Sequence, residues 1–451
     1  MVGTPSRNEQ QLLNYQKRII EDLLFSLFSR QFRVWSAVNM PAYVRYTLSG
    51  PVGRFRIRQI EQAAAELSNA LGVDSVRVSM EEGNLCVDVP TRRKVVTFKH
   101  VAAPTQKWGI TLGLALGSPC RPLTVNLSDP SSCHVLVGGT TGSGKTVFER
   151  CLMLSAALHS SPRQLLIAII DLKLTEFEGF AGLKHLAFPI ARDMDAAGRI
   201  LTWAVQEMRT RYEHGVQKDF LADKARRPRV LIVVDEVVDL VQDGGKLAER
   251  GVVKLIREGR GVGIHLVLGT QKPMAHVIGS LVTANLPLRI CGAVGDARHA
   301  HTILGVAGSG GEKLLGNGDF LTVRTGGSGV KFVRFQAPYI EDTDVPVILR
   351  RYGLSGPDTT VGLRGDWKHD LRQLLNVGDA KGGRNQDDIA QHILNWVTEQ
   401  TEVSGEPPTP HSLGKWHKEE HGSLVRSDKA KRAIDMALEE MGRQPIYGGE
   451  V

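Results

Sequence analysis

Six residues, Gly139, Thr140, Thr141, Gly142, Ser143 and Gly144, run directly into Lys145 and Thr146, which gives the spacing G-x-x-x-x-G-K-[ST]. Glycines at that spacing let successive backbone N–H groups turn inward around phosphate oxygens. A helix starting there presents its positive end to the same anion. In such a loop Lys145 reaches the β- and γ-phosphates of ATP, and the Thr146 hydroxyl ligates Mg2+. Further along, the apolar run Val230–Val234 ends in Asp235-Glu236, with Asp235 eighty-nine residues after Thr146. Asp235 is expected to hold the Mg2+ through water and Glu236 to polarise an attacking water. An acidic strand end alone is a common helix cap, and the loop upstream is what gives this one its chemistry. A third apolar run ends at Thr270-Gln271, where Gln271 can touch the γ-phosphate.

These groups need a scaffold that brings three strand ends together. Short apolar runs occur at His134–Val137, Leu165–Ile170, Val230–Val234, Ile264–Leu268 and Leu288–Ala293. Helical patterns lie between them, the clearest at Met194, Ala197, Leu201, Ala204, Met208 and Tyr212. Strands alternating with crossover helices predict an α/β fold with a parallel sheet covered on both faces. Phe320–Val323 and Val330–Phe335 read as a terminal hairpin. Upstream, Ile60, Ala64, Leu67 and Leu71 recur at helical spacing, and alternating runs near Val76–Met80 and Leu85–Val89 predict a small α+β unit.

The 451 residues suffice for two to three domains, and the apolar share of 42% with 23% charged residues excludes wholesale disorder. The net charge of +8 is a mild excess that suits an anionic partner. Five cysteines lie far apart without C-x-x-C spacing, so a disulfide framework is not expected and a cytoplasmic location is. No run approaches the ~18 apolar residues of a membrane span.

The motifs and their order resemble the FtsK/SpoIIIE family of DNA-translocating ATPases. The resemblance rests on His134–Thr146, Ile170-Asp171-Leu172-Lys173, Glu207–Tyr212, Val234–Leu240, Gly263–Pro273, Ala284–Arg289 and Leu314–Asp319. It implies a RecA-like P-loop core, a hexameric ring of identical subunits, and ATP-driven movement along double-stranded DNA. It also implies an arginine acting on the neighbouring subunit's nucleotide, at the position of Arg260, with Arg257 as the fallback. DNA-facing loops would fall at about 272–283 and 295–301. Lys272 keeps a cation there, whereas Thr283, Ala297 and His301 depart from the family's basic residues, so Arg298 and His299 are the compensating candidates. Without a membrane span, the chain is expected to be a soluble relative.

The resulting division is a helical segment over 1–40, a small α+β domain and connector over 41–130, and a motor over 131–354. A linker over 355–385 and a helical or winged-helix tail over 386–451 complete it. His417-Lys-Glu-Glu420-His421 spells H-x-x-E-H but has no identifiable third ligand, and a solvated helix face is expected instead. Two other functions share much of this pattern: a conjugative or packaging ATPase of the same superfamily, and a protein-remodelling P-loop ATPase that ignores DNA.

Overall fold

The computed structural model describes residues 7–29, 31–40, 43–49, 57–73, 76–81, 84–90, 96–98, 107–116, 120–173, 176–283, 285–326, 329–356 and 363–375, with scattered positions between 396 and 438. Thirteen strands are described: β1 Arg33–Asn39, β2 Tyr43–Ser49, β3 Arg77–Glu81, β4 Asn84–Pro90, β5 Gly109–Ala115, β6 Arg121–Asn126, β7 Val135–Gly138, β8 Leu165–Ile170, β9 Arg229–Val234, β10 Ile264–Thr270, β11 Leu288–Cys291, β12 Asp319–Gly326 and β13 Gly329–Gln336. The described helices are α1 Arg7–Phe28, α2 Ile57–Leu71, α3 Lys145–Leu158, α4 Met194–Glu213, α5 Gln217–Leu221, α6 Val237–Glu258, α7 Ala275–Thr283, α8 Ala297–Leu304, α9 Val345–Arg351 and α10 Trp367–Leu374.

The larger sheet has nine strands in the order β6-β5-β13-β12-β11-β7-β10-β9-β8. Strands β11, β7, β10, β9 and β8 are parallel, and β12, β13, β5 and β6 continue the sheet antiparallel. Side chains of a strand alternate between faces, so a strand buried on both sides must be apolar throughout. Ile232, Val234, Leu266 and Leu268 pack with α4, α6, α7 and α8 in one core. Their sequence neighbours Leu231, Val233 and Val267 pack with α3 and α9 in the other. Helix α4 begins where the Asp193 carboxylate accepts the Ala196 N–H, and buries Ala197, Leu201, Ala204 and Met208.

Three boundaries differ from the sequence reading. The segment over 1–40 is helical only through Phe28, and Arg33–Asn39 is the edge strand of a four-stranded antiparallel sheet ordered β1-β2-β4-β3. Val34, buried among Ile20, Leu24 and Leu48, explains the turn from helix to strand. The connector strands β5 and β6 belong to the nine-stranded sheet, because β5 pairs with β13 more than two hundred residues downstream. The linker over 355–385 contains α10. Its Trp367 and Leu371 are buried, and a Cβ on Gly198 of α4 would come within 2.1 Å of the Trp367 ring.

Residues through Leu375 form one compact unit, and Asn376–Val451 form a second. In the second, Val397, Leu413, Ile434 and Leu438 are buried. Most of the expected tail helices and the 417–421 motif lie outside the described residues. Among the described residues no helix is long and apolar enough to cross a membrane.

Candidate active site

All five parallel strands end at the same edge of the sheet, where open α/β sheets bind ligands. Gly138 of β7 stands in register with Thr270 of β10 on one side and Cys291 of β11 on the other. The loop 139–144 then crosses between them. Gly142 and Gly144 have φ of 83° and 92°, backbone that favours glycine. The Thr140 N–H donates to the Ala293 carbonyl at 2.9 Å, and the Asn317 and Gly318 N–H groups donate to the Gly142 and Ser143 carbonyls at 2.8 and 2.7 Å. With its carbonyls so engaged, the loop can point N–H groups toward an anion. The first N–H groups of α3 add to these, having no acceptor within their own helix.

Lys145 is 3% exposed. Its Nζ donates to the Asp235 backbone oxygen at 2.8 Å and to Asp235 Oδ1 at 2.5 Å, and lies 3.4 Å from Glu149 Oε2. Burial alone would lower the Lys145 pKa, but the Glu149 and Asp235 carboxylates raise it above the ordinary value. Burial acts the other way on Asp235, where Lys145 wins and holds the carboxyl below its usual range. Glu149, wholly buried, is pushed well up by desolvation. Thr146 Oγ1 lies 3.4 Å from Asp235 Oδ1.

Glu236 begins α6 beside this group. Its Oε2 accepts the Gln271 N–H at 2.8 Å and a proton of Lys173 Nζ at 3.2 Å. Thr141 Oγ1 donates to Gln271 Oε1 at 3.2 Å. Ser143 Oγ, Asp235 Oδ2 and Glu236 Oε1 are buried without a hydrogen-bond partner among the described residues, with Lys173 Nζ 3.8 Å from Asp235 Oδ2. Such orphaned atoms are costly unless a ligand answers them. A hydroxyl and two carboxylate oxygens beside a phosphate loop fit a hydrated Mg2+, with Thr146 and Asp235 able to hold it.

The structure therefore brings together the loop, Lys145, Thr146, Asp235, Glu236 and Gln271. It separates Arg260 from them. Arg260 sits in the short turn Gly259–Val262 before β10, with Asp129 and His134 within its electrostatic reach. That is the amino edge of the sheet, the length of β10 away, roughly 20 Å at the usual rise per residue.

The segments expected as loops over 272–283 and 295–301 are largely α7 and the start of α8. Lys272, Arg298 and His299 are exposed beside the carboxyl edge. The Asp296 carboxylate accepts the His299 N–H as an N-cap and lies 3.6 Å from Arg298, so it offsets part of their charge. Sequence reasoning did not single out Glu149 as a site residue. Its signal was a lone acid among apolar residues, one helical turn after Lys145. Lys173 stood in a recognised phrase without a role, and its signal was a cation just past a strand end.

Residues 110–223 match the FtsK/SpoIIIE family model. DNA translocase FtsK of Caldanaerobacter subterraneus subsp. tengcongensis is 30% identical over 362 residues, covering 77% of this chain and 50% of its own length. The chain is thus similar to the FtsK/SpoIIIE family. DNA translocase FtsK of Pseudomonas aeruginosa is also 30% identical, over 439 residues, covering 87% of this chain and 53% of its own. The chain thus spans about half the length of these curated relatives. Among solved structures, the monomer of the pCW3 conjugation coupling protein TcpA with ATPgS shares the fold. Its TM-score is 0.51 at 19% identity, covering 75% of this chain and 99% of that one. A RecA-like P-loop core is the family's fold, and the sheet order above is its form in this chain.

Proposed function

We propose that the chain is a subunit of an ATP-hydrolysing ring motor that translocates double-stranded DNA. The observation that carries this reading is the convergence of the phosphate loop with Lys145, Asp235, Glu236 and Gln271 at one sheet edge. The loop N–H groups and Lys145 bind the phosphates, and Lys145 stabilises charge growing on the γ-phosphoryl group. Thr146 and Asp235 hold Mg2+, which when bound neutralises charge on the β- and γ-oxygens. Glu236 offers Oε1, unpartnered among the described residues, to orient and polarise the attacking water. Its other oxygen holds the Gln271 backbone, so a change at Glu236 shifts the chain leading into Lys272.

Arg260 cannot reach its own loop, which supports a role at the neighbour's nucleotide and hence an assembled ring, hexameric as the family resemblance implies. Lys272, Arg298 and His299 then face the DNA backbone and bind it without reading sequence. The widely spaced cysteines suit the reducing cytoplasm.

The test is ATP turnover with and without long duplex DNA, at low and moderate salt. Duplex DNA is expected to raise turnover severalfold, and the effect is expected to fall as salt rises. Turnover indifferent to DNA would instead favour a protein-remodelling ATPase.

A further inference from the structure

A chain of buried charges joins the small four-stranded sheet to the phosphate loop. Asp88 of β4 has no exposed surface. Its carboxylate accepts Arg45 Nε and Nη2 at 2.8 and 2.9 Å, and Arg334 Nη1 at 2.5 Å across 246 positions of sequence. Arg334, on β13, forks its remaining nitrogens onto Asp319, with Nε to Oδ1 at 2.8 Å and Nη2 to Oδ2 at 2.6 Å. Its guanidinium lies 4.3 Å from the centre of the Tyr43 ring. Asp319 Oδ2 accepts the Leu315 N–H at 2.9 Å, and Gln336 Nε2 donates to the Asn317 carbonyl at 3.0 Å.

The segment so held is the strap whose Asn317 and Gly318 N–H groups bind the loop carbonyls of Gly142 and Ser143. Gly316, Asn317 and Gly318 all have positive φ, at 69°, 49° and 89°. The contact is tight, since a Cβ on Gly144 would lie 2.6 Å from the Gly318 nitrogen. In a buried network of this kind, removing one charge leaves its partners uncompensated, so the remaining groups must move.

We propose that Asp88 and Arg334 are positioning residues for the phosphate loop: through Asp319 and the 315–318 strap, the seating of the small sheet sets how well the loop receives nucleotide. This rests on the reading of the loop as a nucleotide site. The strap itself can be tested without nucleotide. Asp88→Asn keeps the shape and drops the charge. Arg334→Lys keeps the charge, but an ammonium cannot fork to both carboxylates.

In the full chain, both variants are expected to speed amide exchange at Asn317 and Gly318 by about tenfold, a typical size for coupling between sites. KM for ATP should rise by a similar factor while turnover at saturation stays near wild type. A purely structural role predicts a lowered melting temperature with unchanged KM and unchanged exchange at the strap, and that result overturns the proposal. If neither variant folds, the wild-type chain decides by reciprocity. A non-hydrolysable ATP analogue should then slow exchange in 43–49 and 84–90, and unaltered exchange there overturns the proposal. Lys145→Ala is the control. A wild-type chain that binds the analogue no better than this control removes the nucleotide reading, whereas normal binding with an unresponsive strap removes only this inference.

Discussion

Lys145 and Glu149 face one another a single helical turn apart, Nζ 3.4 Å from Oε2, and both side chains are buried against Asp235. The lysine is therefore a structural counter-charge as well as a phosphate ligand. Lys145→Ala is expected to abolish ATP turnover. It should also cost stability, about 3 kcal/mol, because the buried Asp235 carboxylate loses its cation. Adding Asp235→Asn should recover much of that stability without recovering turnover. Urea unfolding of the single and double variants checks this, and a double variant no more stable than the single would count against the charge argument.

Glu236→Gln keeps an acceptor for the Gln271 N–H and loses the base. It is expected to bind a fluorescent ATP analogue within a few-fold of wild type while turnover falls below detection. Turnover near wild type would remove Glu236 from the water-activating role.

The separation of Arg260 from its own loop predicts concentration dependence. Turnover should rise more steeply than linearly with protein at low concentration. Arg260→Ala should still bind ATP while losing on the order of 10³-fold in turnover. Mixing it with Lys145→Ala subunits should restore some activity, because an interface can then pair an intact loop with an intact arginine. Linear dependence together with no complementation would contradict the trans arrangement.

At the amino edge of the sheet, burial and the nearby Arg260 lower the His134 pKa to about 4. Its Nδ1 accepts the Leu266 N–H at 3.2 Å, which keeps the ring neutral. His265 is lowered further, by burial and by Arg229. The unfolded chain binds protons on these rings below about pH 6.5 and the folded chain does not. Stability is thus complete above that pH and is lost as pH falls toward 4. His134 alone accounts for about 2 kcal/mol between pH 7 and pH 5. His134→Asn, which retains an acceptor, should flatten that part of the slope in denaturation measured at the two pH values.

A chain ending after Leu375 keeps the whole first unit and should retain turnover. One ending near Ser355 loses α10 and exposes the groove between Gly198 and Gly251, so it should be markedly less stable. Trp367→Ala tests the same contact at a point, with an expected loss of about 3–5 kcal/mol. Equal melting temperatures for the two truncations would show that α10 contributes little.

How far the sequence predicts this arrangement depends on what holds each part. The parallel strands were legible because burial on both faces demands unbroken apolar runs, as in Val230–Val234. The convergence of Lys145, Asp235 and Gln271 follows once three such runs end in polar residues. The antiparallel strands β5 and β6 were grouped with the upstream connector, because β13, the partner of β5, lies far downstream and pairing leaves no local mark. Helix α10 was hidden in a stretch rich in Gly, Asp and Lys, where Trp367 and Leu371 are the buried residues and Leu374 packs beside them. The Asp88–Arg334 pair is invisible to spacing arguments, and two buried opposite charges 246 positions apart meet only in three dimensions.

Strand β7, which launches the phosphate loop, has four residues, and both its neighbours arrive late. Val135 pairs with Val267 and with Leu288, 132 and 153 positions further on. A ribosome adding about 5–20 residues per second needs roughly seven to thirty seconds to supply them. Throughout that interval His134–Val137 is an apolar segment with two open edges, and closing such long loops is slow. The site closest to the start of the motor is thus among the last to be built. A nascent chain stalled before β10 carries β7 with neither neighbour, and one stalled between β10 and β11 still leaves one of its edges open.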